Sequence, residues 1–349
     1  MKKVIFISAL AIAAAVSCTK SDIVDTKFNE AISFEAYTGR DAQTKAASVT
    51  KDDLSTVKVF GYYHGADGWA NRSLLWEKGL VLEAPKGVVN NELDAKDVRY
   101  WANDSDKYTF LAYVPVDGLS EGEGFTANDP KLTYTVDNTG FTNGDVLVAV
   151  PQIERTKDKN GETEGLQGNV PLQFQHKLAR LAVKATAVSE AFDFRIKEVT
   201  LSGKFYTSGT ISLYDPSAWE VDDAEVTNFS FFDYNKDNKT ALTEGKDDAG
   251  KAIVNVIGTK GYMMMIPVNF GAEPATLTVK YTTHDPKADQ ESRIYTQTYE
   301  VKTNFVMGNA YAINLEFSND AKQITFSVEK VEDWNDPEHD ANENKVKEE

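Results

Sequence analysis

The four histidines are the first residues to test for catalysis, because histidine changes its charge near neutral pH. They stand at His64, His176, His284 and His339. None has a spacing typical of a zinc site, and the sequence contains no H-E-x-x-H, G-x-S-x-G or phosphate-loop motif and no cysteine pair. The sequence therefore predicts no catalytic residues, no metal site and no cofactor, and we expect a protein that is not an enzyme.

One acidic stretch, from Asp233 to Glu244, has oxygen-bearing side chains at several positions of a calcium-loop template. Asn238 stands where the template has glycine, and no amphipathic helices flank the stretch. We favour a solvated turn between strands, with a calcium loop as the alternative. Calorimetric titration with Ca²⁺ separates the two interpretations.

Cys18 is the only cysteine, and it follows a basic start and an unbroken apolar run from Val4 to Val16. This run is too short for a transmembrane helix, which needs about 20 residues, but it is typical of a signal peptide. The segment Ala15-Val16-Ser17-Cys18 resembles the bacterial lipobox, in which the cysteine is diacylated. We predict a signal peptide over residues 1–17, lipidation at Cys18 and a tether over residues 18–30. The chain is then a lipoprotein, anchored in the cell outer membrane by its acyl chains and exposed at the surface.

The formal net charge of −17 disfavours a nucleic-acid partner, because binding phosphates needs a concentrated basic surface. Acidic residues also dominate the C-terminal end. We expect residues 335–349 to form a disordered acidic tail.

Short β-branched and aromatic segments, separated by Gly, Asn, Asp and Pro, follow one another along the rest of the chain. This pattern predicts an all-β fold, with two β-sandwich domains over residues 31–168 and 169–334. The predicted strands are Ile32–Tyr37, Val57–Tyr63, Tyr108–Val114, Leu132–Val136, Asp145–Val150, Val170–Phe174, Leu178–Thr186, Phe194–Leu201, Thr210–Tyr214, Ile253–Ile257, Tyr262–Pro267, Ala275–Thr282, Ile294–Val301, Tyr311–Phe317 and Ile324–Val331.

Aromatic residues are frequent in the first predicted domain, and they would suit either a sandwich core or sugar binding by ring stacking. Those at alternate strand positions are interpreted as core. Trp69 lies in a loop, and it would carry binding in the alternative function, that of a monomeric glycan-binding surface lipoprotein.

Several short motifs occur in an order that resembles the fimbrillin family, the lipoprotein-derived subunits of type V pili on Gram-negative gut and oral bacteria. They are the lipobox, Ile32-Ser-Phe34 before the basic loop ending Thr44-Lys45-Ala46, Tyr100-Trp101 before Tyr108-Thr-Phe110, Phe174-Gln-His176-Lys-Leu178, Gly308-Asn-Ala-Tyr311, and Ile324-Thr-Phe326 leading to Trp334. The resemblance covers nearly the whole chain after Cys18.

The resemblance implies two tandem transthyretin-like sandwiches with Greek-key antiparallel sheets, and a structural or adhesive role in fimbriae. It also implies strand exchange, in which a protease removes the first strand and a strand of a neighbouring subunit replaces it. On this chain the removed strand would be Ile32–Tyr37, with the cut after Arg40 or Lys45. The alternative is that the strand stays, as in the anchor subunits of the family. The expected partners are other fimbrial subunits and a ligand on a host or bacterial surface.

Overall fold

The computed structural model describes most of the chain between residues 30 and 333. The described residues are 30–38, 56–65, 72–83, 94, 96–102, 106–122, 125–126, 129–136, 144–157, 169–187, 193–222, 224–233, 252–255, 263–285, 290–318 and 323–333. Within these ranges the regular structure is strand only, which confirms the all-β prediction. No helix in these ranges is long and apolar enough to cross a membrane. The predicted signal peptide and acidic tail lie outside them.

In the described part of the chain, ten strands precede residue 177, and most of them coincide with predicted segments. They are β1 (Ser33–Thr38), β2 (Thr56–Gly65), β3 (Ser73–Leu74), β4 (Leu80–Glu83), β5 (Lys107–Tyr113), β6 (Leu119–Ser120), β7 (Lys131–Thr135), β8 (Leu147–Ala149), β9 (Gln152–Arg155) and β10 (Asn169–His176).

Twelve strands follow. They are β11 (Ala179–Ala187), β12 (Asp193–Phe205), β13 (Ser208–Ser212), β14 (Trp219–Val221), β15 (Glu225–Asp233), β16 (Ala252–Asn255), β17 (Met263–Met265), β18 (Ala275–Asp285), β19 (Gln290–Glu291), β20 (Tyr295–Val301), β21 (Asn309–Phe317) and β22 (Ile324–Asp333).

The strands form four sheets, in which nearly all neighbours are antiparallel. An eight-stranded sheet has the order β1-β10-β8-β5-β2-β3, with β4 beside β2 and β9 beside β5. Two five-stranded sheets have the orders β16-β11-β21-β22, with β17 beside β11, and β15-β12-β18-β19, with β20 beside β18. The fourth sheet, β14-β13-β7-β6, joins strands from both halves of the chain. Among the described strands, two pairs are parallel, β1 with β10 and β11 with β21.

Buried side chains form two clusters, one on each face of the eight-stranded sheet. In β5, six consecutive residues are buried because Phe110 packs into one cluster while its neighbour Leu111 packs into the other. The larger cluster extends through both halves of the chain. We call the smaller one the minor core; it contains Ile32, Phe34, Ala36, Val57, Val59, Trp76, Leu80, Leu82, Trp101, Tyr108, Phe110, Ala112, Val114, Leu147, Ala149, Val170, Leu172 and Phe174.

Every predicted strand overlaps a strand of the structure, and the described ends differ by a few residues. Residues 256, 257 and 262 of two predicted strands lie outside the described residues. The missed strands are mostly short. The longest of them, β15, buries Phe229 and Phe231 in the larger cluster, while its first four residues include three polar ones that hide the pattern. The division at residue 168 falls just before β10, which pairs with β8 and β1. The two-domain division and the transthyretin-like topology stay predictions.

Candidate functional site

Strand β1 lies at the outer edge of the eight-stranded sheet. Its pairing with β10 is parallel over six residue pairs, in which Phe34 lies opposite Val170 and Ala36 opposite Leu172. Among the described residues, β10 is the only strand that β1 pairs with. An edge strand held on one side can leave without breaking any other strand pairing.

The apolar side chains of β1 and of the residue before it are nearly inaccessible to solvent. The side chains of Ile32, Phe34 and Ala36 are only 3%, 2% and 4% exposed. Glu35, which lies between Phe34 and Ala36, is exposed. Period-two alternation places these three side chains on one face. Full burial of a side chain such as Ile or Phe stabilises the fold by about 1.5–3 kcal/mol relative to leaving it in water.

The surface that β1 covers is an apolar groove of the minor core, which we call the β1 groove and define by Trp76, Trp101, Phe110, Val170 and Leu172. The ring of Phe34 lies 6.1 Å from that of Trp76 and 5.8 Å from that of Phe110, measured between centroids.

Contacts that do not involve β1 hold the walls of the groove. The indole Nε1 of Trp76 donates to the carbonyl oxygen of Asp97 at 2.8 Å, and the Arg99 guanidinium lies over the Trp76 ring at 5.9 Å. Trp101 packs edge-on against Tyr108 at 4.8 Å. Trp76 and Trp101 therefore have contacts of their own in addition to those with β1.

A second set of contacts holds the residues just before β1. The amide of Ile32 donates to the carbonyl of Arg99 at 2.8 Å, and the amide of Trp101 donates to the carbonyl of Glu30 at 3.1 Å. The Glu30 carboxylate also lies 3.1 Å from Nζ of Lys157, whose side chain is only 6% exposed. The peptide is thus held at its start by a charge pair and along its length by the ladder with β10.

Polar side chains set the register on the outer face of this ladder. Ser33 donates its hydroxyl hydrogen to Oδ1 of Asn169 at 3.0 Å, and Nδ2 of Asn169 donates to Glu35 at 3.3 Å. Sequence reasoning missed Asn169 and Lys157, because a single polar residue beside a strand has no distinguishing pattern.

The other sequence-predicted site residues are Cys18, Arg40 and Lys45, together with Trp69 of the alternative function. All four lie outside the described residues, so the structure does not test them. Arg40 follows the last residue of β1 by two positions in the sequence. The acidic stretch that resembles a calcium loop also lies outside the described residues from residue 234 onward.

Two histidines, His64 and His176, have described side-chain contacts. His64 lies 3.0 Å from the hydroxyl of Thr109, and burial lowers its pKa. His176 pairs with the buried carboxylate of Asp145 at the end of β10. In the described part of the chain, no group of three or more His, Cys, Asp or Glu side chains could hold a metal ion. In this region, packing in the minor core and the backbone ladder with β10 hold β1 in place.

The aromatic residues of the first half are mainly core, as interpreted. Tyr62, Trp76, Trp101 and Tyr108 are all less than 5% exposed, whereas Tyr100 is 54% exposed. Tyr100 forms an isolated antiparallel bridge with Ala31, next to the start of β1.

Strand β22 is a second edge strand, at the end of one five-stranded sheet, and it pairs only with β21 among the described strands. Ile324 is 9% exposed, whereas Phe326 and Val328 are half-buried. Phe326 stacks on Tyr299 with ring centroids 5.2 Å apart.

Tyr108 gives the minor core a dependence on alkaline pH. Burial is the main cause that raises the pKa of this phenol from its ordinary value of 10 to about 12. The unfolded chain therefore loses the phenolic proton first, so the stabilisation is complete below pH 10 and is lost as the pH rises toward 12. We expect Tyr108→Phe to reduce this loss by up to about 1.4 kcal/mol per pH unit. Urea unfolding measured between pH 9 and 12 checks this, and an unchanged pH slope in the variant would contradict it.

A profile of the family described as fimbrillin-like matches residues 44–334. Among solved structures, the chain is similar to a fimbrial protein from Bacteroides vulgatus, with a TM-score of 0.56 and 20% identity over 88% of this chain and 100% of the other. It is also similar to a candidate cell adhesion protein from Bacteroides uniformis, with a TM-score of 0.50 and 15% identity over 88% and 100% of the two chains. At these identities the likeness shows a shared fold. No curated protein matches the sequence. Because the profile match spans most of the chain, the protein belongs to the fimbrillin-like family.

Proposed function

We propose that this protein is a structural and adhesive subunit of type V fimbriae on the cell surface, exported as a lipoprotein and assembled by strand exchange. The observation that carries the proposal is β1, a single edge strand whose apolar side chains are buried in the β1 groove. In the exchange, β1 leaves and an extended segment of another subunit takes its place.

The physical basis of the exchange is strand addition. Backbone hydrogen bonds to β10 supply affinity that does not depend on sequence, and the alternate side chains that enter the groove set the register. A donor must therefore present apolar groups at three alternate positions, as Ile32, Phe34 and Ala36 do. The backbone hydrogen bonds to β10 place few further requirements on the sequence of the donor.

Strand β22 is our candidate donor to other subunits. Ile324, Phe326 and Val328 repeat the spacing of the three apolar side chains of β1, with Thr325 and Ser327 between them. As an edge strand with two of these side chains half-buried, β22 is easier to detach than a central strand.

Processing after Arg40 or Lys45 would make β1 exchangeable, because it cuts the covalent link between β1 and β2. Amino-terminal sequencing of protein released from cells tests the cut directly. A start at Asp41 or Ala46 supports it, whereas a blocked, acylated start at Cys18 contradicts it. Mass spectrometry of membrane-extracted protein tests lipidation, and an unmodified Cys18 peptide would count against the anchor.

Strand exchange itself is tested with the full-length chain carrying a specific protease site between residues 40 and 45. We expect a fluorescent peptide of residues 28–39 to exchange into the cut protein, seen as a rise in anisotropy, and not into the uncut protein. The same peptide with Phe34→Asp is the matched control and should not bind. Failure of the natural peptide to enter the cut protein would refute the exchange.

A further inference from the structure

The start of the β1 groove contains a charge that the apolar pattern does not predict. Lys157 is buried, with its side chain 6% exposed, and Glu30 of the β1 segment provides a carboxylate 3.1 Å from its Nζ. Glu30 stands two positions before Ile32, the first apolar side chain of the segment. Removing β1 therefore also removes a counter-charge from a buried ammonium.

Resting on the strand exchange proposed above, we propose that Lys157 selects the incoming strand. The segment that replaces β1 carries a carboxylate two positions before its first apolar side chain, and a lysine or arginine there is rejected. The occupant is thus an extended strand of another subunit with an acidic residue near its start. One residue separates this acidic residue from the first of three apolar side chains at alternate positions. Because Lys157 is buried, water and salt screen its repulsion of a second positive charge only in part. Repulsion of this kind is one way in which an interface rejects a wrong partner.

The strand β22 of a second copy does not meet this charge requirement in either strand direction. When β22 lies parallel to β10, Ile324 takes the place of Ile32 and Lys322 takes the place of Glu30. When it is reversed, Val328 takes the place of Ile32 and Lys330 takes the place of Glu30. Either way, β22 matches the apolar triad and brings an ammonium toward Lys157.

Because of this charge mismatch, β22 is a poor donor for the β1 groove of an identical copy. The groove of this subunit discriminates against its own β22, so assembly favours contact with a different subunit over a chain of identical copies. Glu30 is 53% exposed, so a lysine at that position can turn its head group toward water. The penalty is therefore moderate, and we expect about a tenfold difference in affinity, equivalent to about 1.4 kcal/mol.

Competition in the cut full-length protein tests the selection, with all primary substitutions made in the peptides so that folding of the protein is unaffected. Against the labelled peptide of residues 28–39, the same peptide with Glu30→Lys should compete about tenfold less well, and Glu30→Gln should fall between. A peptide of residues 320–333 should also compete weakly. Either Lys322→Glu or Lys330→Glu should improve it about tenfold, and the one that does so reports the direction of the strand.

Lys157→Met in the protein supplies an independent readout, because it should remove the discrimination between the natural and Glu30→Lys peptides. If the natural peptide does not exchange at all, strand exchange itself is wrong. If it exchanges but the peptides with Glu, Gln and Lys at position 30 compete equally, exchange stands and the selection by Lys157 is wrong. If neither Lys322→Glu nor Lys330→Glu changes the affinity of the 320–333 peptide, the selection is likewise wrong.

Discussion

Replacing Phe34 with alanine should destabilise the uncut protein by about 3–5 kcal/mol, the usual cost of deleting a buried phenyl ring. The ring is 2% exposed and packs between Trp76 and Phe110, so its loss leaves a cavity in the minor core. Trp76 and Trp101, two of the five tryptophans, lie in the minor core, so part of the tryptophan fluorescence change during urea unfolding reports on it.

Phe326→Ala is the matched control for this prediction. It makes the same change in another edge strand, but Phe326 is half-buried, so the loss should be clearly smaller. In protein from which β1 has been cut and removed, Phe34 is absent, so the variant and the natural chain should have the same free energy of unfolding. A loss below about 1 kcal/mol for Phe34→Ala would contradict the packing of β1 in the groove.

Leu172→Asp should cost about 4–5 kcal/mol at neutral pH and abolish strand uptake. Leu172 is fully buried, lies opposite Ala36 on β10 and forms part of the groove. An aspartate there would place an uncompensated charge in an apolar site, which is among the most destabilising single changes.

The matched control is Leu172→Asn, which has nearly the same shape but no ionisable group. Burial would raise the pKa of the new carboxyl above its unfolded value of about 3.9. The folded state then holds its proton longer than the unfolded state, so the extra cost of Asp over Asn should be absent below about pH 4 and should grow as the pH rises. Urea midpoints between pH 3.5 and 7 measure it. A constant difference between the two variants would show that residue 172 is solvated.

Strand-forming composition and local alternation were enough to predict most of the longer strands. In Ile32-Ser33-Phe34-Glu35-Ala36, apolar and polar residues alternate, and the structure buries the apolar set as predicted. Short strands such as β3 and β6 contain two residues each, too few for any period to be visible.

The groove itself was not predictable at the level of its residues. Ser33 hydrogen-bonds Asn169, a residue 136 positions away, and nothing near either residue specifies that pairing. The same holds for Glu30 and Lys157, which are ordinary charged residues until the fold buries one of them. The parallel direction of β1 is also a long-range property, because it depends on how the intervening chain returns to the sheet.

The sequence by itself determined the all-β class, the approximate strand positions and, through the order of its motifs, the resemblance to the fimbrillin family that the profile match confirms. These are properties of short segments, where side-chain period and turn residues act locally. Only the tertiary structure decided that β1 is a parallel edge strand, that its apolar side chains belong to a separate core, and that Lys157 pairs with Glu30 just before β1. Those relations join residues far apart in the chain, and their energies exist only once the sheets have packed.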